Sequence, residues 1–399
     1  MAEEGVAYEP ISVREALTEL KDTAELLIDL SYSAVLLDSE AIANVVLDLE
    51  DEVDVLGMRA RMSLLLAARD PEESRQLAPV LGVVGATEAI ANAAGDIASV
   101  VLEEVGLPRG MRDSLPEAVE SIVRAEIAAD APLVGPTLGE RNLETDAGVR
   151  VIALEREGSW HLDPGAETRL QAGDAVLLRG PEDGLEAVYR EATGRDYEPP
   201  VATSETIDDL ARAIDTLVLM KNVSELAVDL AYGAVLFDDA EVGREVLELE
   251  AEVDALQSRL VAWTLRAASR VEEPIELRGL VQIAHSSEAI SDAALQISEG
   301  VLRGIDAHPV VAAAVEDSDE IIARVEVAPD SALDDATLGD RAVKTETGMR
   351  VIAVRTAGGR DEWVVSPDAQ TALLAGDVLL AKGTRSGADR LRRLAGQAG

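Results

Sequence analysis

Residues 1–199 of this 399-residue chain are followed by a second version of themselves. The segment DLSYSAVLLD from Asp29 to Asp38 returns as DLAYGAVLFD from Asp229 to Asp238, and TLGER at Thr137 to Arg141 returns as TLGDR at Thr337 to Arg341, both at an offset of 200. A period this long marks a duplicated multi-element unit, not a solenoid of short repeats. It also supplies an internal control: a chemical group that both halves need must recur.

Charge narrows the setting. Thirty-five basic residues stand against 77 acidic ones, a formal charge of -42, yet 47% of the chain is hydrophobic. The acids are spread along the whole length over regular apolar spacing, so the chain reads as globular and not as an acidic disordered tail. A carboxylate coat repels itself in dilute buffer, and the Debye length falls to about 3 Å in 1 M salt, which removes most of that penalty. Only four lysines (Lys21, Lys221, Lys344, Lys382) accompany many arginines. That bias resembles halophilic archaeal proteins; an ordinary acidic mesophile protein is the alternative.

There is no cysteine, which excludes disulfides, thiolate nucleophiles and Cys-ligated zinc. Met1-Ala2-Glu3-Glu4 has no basic n-region, so no secretory leader is expected. The longest apolar stretch, Leu77 to Leu102, is interrupted by Glu88 and Asp96, and no membrane span is expected. Nucleic acid is disfavoured as a partner because phosphate neutralisation needs clustered Lys and Arg.

From Ser12 to about Leu107 the spacing predicts three long amphipathic helices. Ile42, Val46, Leu49, Val53, Leu56, Ala60, Leu64 and Ala67 fall three or four apart, as do Val242, Val246, Leu249, Val253, Leu256, Leu260, Trp263 and Ala267. Ser12 with Glu15 reads as a capping box, Asp70-Pro71 as the stop of the second helix and Pro108 as the stop of the third. Short connections make the three an antiparallel bundle.

Acid pairs flank these stripes at i, i+4: Glu25 with Asp29, Glu50 with Asp54, Glu225 with Asp229, Glu250 with Asp254, and Glu288 with Asp292, where the first copy has Glu88 with Asn92. That spacing puts both side chains on one helical face, about 5 to 6 Å apart at Cβ and close enough to share a hard cation. A solvated acidic flank has the same spacing, and about fifteen such pairs arise by chance at this acid content. Here the chain resembles the PhoU family of phosphate-signalling regulators over residues 10–110 and 207–307. The resemblance implies a divalent metal held by Glu50, Asp54, Glu250, Asp254, Glu288 and Asp292; oxygen donors suit Mg, Ca or Mn.

After Pro116 the periodicity changes. Val123 to Ile127, Val149 to Leu154 and Ala175 to Leu178 are short β-branched runs separated by Gly-rich turns. Thr137 with Glu140, and Thr337 with Asp340, predict a capped short helix ahead of a strand; a hairpin with Trp160, the turn Gln171-Ala172-Gly173-Asp174 and a helix from Pro181 follow. LVGPTLGERNL, GVRVIAL and LQAGDAVLLRGPEDGLEAV, in that order, resemble the TrkA C-terminal domain, also called RCK_C, over residues 120–192 and 320–396.

Together these give an α+β expectation with four domains: 1–115 helical, 116–195 RCK_C-like, 196–312 helical and 313–399 RCK_C-like. The RCK_C resemblance implies dimerising domains whose groove binds a regulatory ligand, cyclic di-AMP in some members and ions in others. Arg141, Arg150, Arg341 and Arg350 are the duplicated cations available to an anion, and guanidinium suits phosphate geometry. The Rossmann half usual in RCK proteins is not signalled: no GxGxxG follows a strand, and Gly82-Val83-Val84-Gly85 lies in a helical pattern. His161, His285 and His308 have no counterparts in the other copy, so no catalytic constellation recurs and no enzyme is expected. The resemblances imply a cytoplasmic, homo-oligomeric regulator of potassium or other cation transport with a membrane channel or transporter subunit as partner; the alternative is a PhoU-like phosphate-signalling adaptor.

Overall fold

The computed structural model describes residues 11–68, 70–103, 105, 121–162, 164–197, 208–271, 273–305, 308–357 and 363–397. The chain divides by kind of structure and not by copy: Met1–Arg112 joins Ser204–Asp319 in a helical unit, and Asp113–Thr203 joins Glu320–Gly399 in a sheet unit.

The helical unit holds α1 (Val13–Leu37), α2 (Glu40–Ala67) and α3 (Pro71–Leu102) from the first copy. Its second copy supplies α7 (Asp208–Phe237), α8 (Ala240–Ala268), α9 (Arg278–Leu302) and the shorter α10 (Pro309–Asp317). Ser12 caps α1 by accepting from the Glu15 N–H at 3.1 Å, and Ser39 and Asp239 cap α2 and α8. Asp38 and Asp238 stop α1 and α7 in left-handed conformation, φ 51° and 49°, which a short polar side chain tolerates. α2 ends at Ala67 with Ala68 as its cap, just ahead of the expected stop at Asp70-Pro71. Pro71 opens α3, where a missing N–H costs nothing. The expected stop at Pro108 lies outside the described residues.

Ile42, Val46, Val53, Leu56, Ala60 and Leu64 of α2 are buried as the spacing predicts, while Ala67 is exposed at the helix end. Each large aliphatic side chain so buried is worth about 1.5–3 kcal/mol. Trp263 of α8 is only half-buried; the Arg212 and Arg266 guanidinium groups cover its ring at 4.9 and 4.7 Å. Glu73–Leu102 is, by length and composition, long and apolar enough to cross a membrane, with a mean hydropathy of 1.4. In the fold it is a core helix packed against α1, α2 and α9.

The two bundles meet through a buried polar layer. Lys21 and Lys221, 2% and 5% exposed, each lie over the tyrosine of the other copy, at 5.4 Å from Tyr232 and 5.3 Å from Tyr32. Lys21 donates to Glu25 at 2.9 Å and to Ser318 at 2.7 Å, and Lys221 pairs with Glu225. Tyr32 shares a 2.7 Å hydrogen bond with Ser287 of α9, and burial pushes its phenol pKa up.

The sheet unit holds two four-stranded antiparallel sheets, β1-β4-β2-β3 and β5-β10-β7-β8. The first comprises β1 (Ser121–Glu126), β2 (Arg150–Arg156), β3 (Ser159–Leu162) and β4 (Ala175–Gly180), with short helices α4 (Leu138–Arg141) and α5 (Leu143–Ala147) ahead of β2 and α6 (Glu182–Thr193) after β4. The second comprises β5 (Ile321–Glu326), β7 (Arg350–Arg355), β8 (Trp363–Val365) and β10 (Val378–Gly383), with α11 (Val343–Thr347) and α12 (Arg385–Leu394). A two-residue pair, β6 (Ala336–Thr337) with β9 (Ala372–Leu373), lies beside it. Leu133, Val149, Leu154, Val176, Leu178 and Leu185 form the first core, and Leu333, Met349, Val354, Leu373, Leu379 and Leu391 the second.

The capping box predicted at Thr137 is complete: Glu140 N–H donates to Thr137 Oγ1 at 3.1 Å and Glu140 Oε2 accepts from Thr137 N–H at 2.8 Å. At Thr337 the expected short helix does not form. Asp340, one methylene shorter, donates its N–H to Thr337 Oγ1 at 3.0 Å, and Thr337 pairs with Ala372 as strand.

Candidate functional site

Within the sheet unit the two copies meet across α5 and α11. Thr145 Oγ1 lies 3.1 Å from Thr384 Oγ1 and 3.0 Å from Ser386 Oγ, and Arg390 donates to the Thr145 carbonyl at 3.0 Å. Gly348, at φ 71°, turns the chain from α11 into β7. A Cβ there would sit 2.6 Å from the Glu144 carbonyl oxygen and 2.7 Å from the Thr145 Cα, so only glycine permits this backbone-to-backbone approach.

Beside that junction lies a cleft of about 410 Å3, open to solvent, lined by Glu144, Arg150, Arg179, Glu320, Lys344, Arg350 and Lys382 with Gly148, Gly348 and Gly383. Five cations face two carboxylates, an inversion of the charge of the chain as a whole. Strand register produces the concentration: Arg150 stands opposite Arg179 across β2 and β4, and Arg350 opposite Lys382 across β7 and β10. Like charges directly opposite one another are destabilising. Glu320, directly before β5, offsets part of this cost. Its Oε2 lies 3.4 Å from the Arg179 guanidinium, 3.4 Å from Lys382 Nζ and 3.8 Å from the Arg150 guanidinium. The group is well buried, with Arg179 at 11%, Lys382 at 6% and Glu320 at 13% side-chain exposure.

Of the four arginines singled out by the repeat, Arg150 and Arg350 line the cleft. Arg141 and Arg341 do not: Arg141 is drawn to Glu191, and Arg341 stands exposed in a turn where its helix failed to form. Arg179, Lys344, Lys382 and Glu320 escape sequence reasoning. One sequence signal points to two of them: Arg179 and Lys382 are equivalent cations once the three-residue insertion is counted.

The acid pairs of the helical unit come together across helices. Burial and then Asp54, Asp96 and Asp51 push the Glu50 carboxyl up to about 7. Its carboxylate lies against α3 at Gly95, where an added Cβ would overlap Oε2. In the second copy burial, with Asp254 next, raises Glu250, and burial also raises Glu288 and Asp292. Glu88 is raised by burial although Arg61 bonds it. Yet among the described residues no group of three or more His, Asp or Glu side chains is arranged to hold a metal ion.

The histidines are separate. His308 Nδ1 accepts from the Val310 N–H at 3.2 Å as the cap of α10, His285 lies 3.2 Å from Glu288, and His161 sits on β3.

The TrkA-C domain family matches residues 122–193 and 322–396, and the PhoU domain family residues 17–101 and 217–301. Among solved structures, PhoU from Pseudomonas aeruginosa is similar at 14% identity over 73% of this chain and 96% of that one, with a TM-score of 0.42. The GsuK RCK domain is similar at 16% identity over 69% of this chain and 63% of that one, TM-score 0.19. A GsuK channel bound to NAD is similar at 14% identity over 79% of this chain and 65% of that one, TM-score 0.19. No curated protein matches. The chain carries a PhoU domain followed by a TrkA-C domain, twice over, in an α+β fold.

Proposed function

We propose that this chain is a non-enzymatic cytoplasmic regulator of potassium or other cation transport, which senses a small anionic ligand in the cleft of its sheet unit and acts on a membrane channel or transporter subunit. The TrkA-C and PhoU domains support a regulatory role. The observation that carries the ligand is the cleft itself: Arg150, Arg179, Lys344, Arg350 and Lys382 converge in a protein whose surface is dominated by carboxylate. Guanidinium groups bind phosphate oxygens in fixed geometry, and a partly buried site strengthens each charge-assisted bond. Cyclic di-AMP is the phosphate ligand to try first. Calorimetric titration in molar KCl is expected to give saturable binding that is lost in Arg150→Ala/Arg350→Ala; absence of binding, or binding untouched by the double variant, overturns the assignment. Copurification from native membranes tests the partner, and recovery without any cation transporter counts against it.

A second reading, a PhoU-like phosphate-signalling adaptor that takes up divalent metal, is favoured by the Glu50 carboxyl, which holds its proton to about 7 amid other acids. A cation entering such a cluster displaces the proton and relieves the repulsion. Mg or Mn binding that disappears when Glu50, Asp54, Glu250 and Asp254 are changed to alanine supports it; unchanged binding sinks it.

A further inference from the structure

The Glu320 carboxylate occupies the place where the cleft's cations converge. It belongs to the protein, yet it contacts them as an incoming anion would: one oxygen within 3.4–3.8 Å of Arg179, Lys382 and Arg150, drawn from both copies. Nothing in the secondary structure requires it there, because Glu320 precedes β5 and makes no part of the strand ladder. A carboxylate and a phosphate carry the same kind of acceptor oxygens and compete for the same donors.

Resting on the anionic-ligand reading of the cleft, we propose that Glu320 is an intramolecular occupant of a phosphate subsite formed by Arg150, Arg179 and Lys382, and that a phosphate-bearing ligand binds by displacing it. The displaced carboxylate turns to solvent, and the three cations transfer from one carboxylate oxygen to phosphate oxygens that meet them with more acceptors and more charge. Glu320 thereby lowers the apparent affinity by the fraction of molecules in which it must first leave. It also offsets part of the repulsion within the cation cluster between binding events.

The experiment uses the full chain in molar KCl, with cyclic di-AMP and inorganic pyrophosphate as probes, on wild type, Glu320→Gln and Glu320→Asp, each checked by circular dichroism for native helix content. Gln retains the shape without the charge; Asp retains the charge with a shorter reach. Glu320→Gln is expected to bind about tenfold tighter than wild type, with Glu320→Asp between them and the gain abolished by adding Arg150→Ala. A folded Glu320→Gln that binds cyclic di-AMP equally or more weakly overturns the proposal while the ligand reading stands, since Glu320 is then a strut that positions the cations. If no form binds cyclic di-AMP but Glu320→Gln gains pyrophosphate affinity over wild type, the subsite stands and the nucleotide assignment falls. Failure of every form to bind either probe overturns both.

Discussion

Replacing Glu50 with glutamine should make the helical unit more stable at neutral pH and leave it unchanged in acid. An unfolded glutamate ionises near 4.5, whereas in the fold burial and the neighbouring Asp54, Asp96 and Asp51 hold the Glu50 proton to about 7. Below about pH 4.5 both states are protonated and the residue costs nothing. Between about 4.5 and 7 the unfolded chain sheds its proton first, so stability falls as pH rises, and above 7 the full cost is present. At 1.36 kcal/mol per tenfold, the ceiling is about 3.4 kcal/mol; solvent screening of a side chain that is only partly buried brings the expectation to about 1–2 kcal/mol. Glutamine has the same shape and fits against Gly95 without the charge. Urea unfolding of chelator-treated protein in molar KCl, followed by far-UV circular dichroism from about pH 4 to 8, gives the comparison. Glu50→Gln should show a shallower downward slope than wild type between about pH 4.5 and 7, the remainder coming from Glu88, Glu250, Glu288 and Asp292. Parallel curves, or a variant less stable at pH 8, refute the claim that crowded carboxylates strain this bundle.

Two further substitutions test how the copies are joined. Gly348→Ala should lower stability by more than Gly148→Ala: both incur about 1–2 kcal/mol for left-handed backbone, but the Cβ at 348 also meets Glu144 and Thr145 of the other copy at 2.6 and 2.7 Å, while that at 148 meets only Pro181 at 3.5 Å. Equal shifts in melting temperature contradict the close pairing. Lys21→Met should cost about 1–3 kcal/mol, because it removes the 2.9 Å partner of the half-buried Glu25 carboxylate. Adding Glu25→Gln should restore part of the loss, and a double variant no better than the single one in denaturant melts disproves the charge account.

Local features are legible in the amino-acid order alone. The apolar spacing of Ile42 to Leu64 locates α2, and Thr137 with Glu140 locates a capping box, because both depend on residues three or four apart. What escapes is set by contacts far apart in sequence. Arg150 and Arg350 are visible as repeated cations, but the partners that make them a site, Arg179 and Lys382, come from strand register, and Glu320 comes from the segment ahead of β5. The same limit explains Arg141: its sequence position matches the repeat, yet its guanidinium meets Glu191 of α6, fifty residues away. At Thr337, where Asp340 stands in place of the Glu140 of the first copy, the segment is a turn instead of a capped helix. Spacing finds the acid pairs, whereas Asp96, which adds to the charge burden on Glu50, lies on another helix.

The placement of the four lysines has a practical outcome. Lys21, Lys221 and Lys382 are 2%, 5% and 6% exposed, and the half-buried Lys344 lines the cleft. An amine-selective acylating reagent applied to the folded protein therefore finds one approachable lysine side chain, and that one lines the proposed ligand cleft. A fluorophore attached to Lys344 would report on occupancy of that cleft with no engineered cysteine, at the cost of one of its five cations.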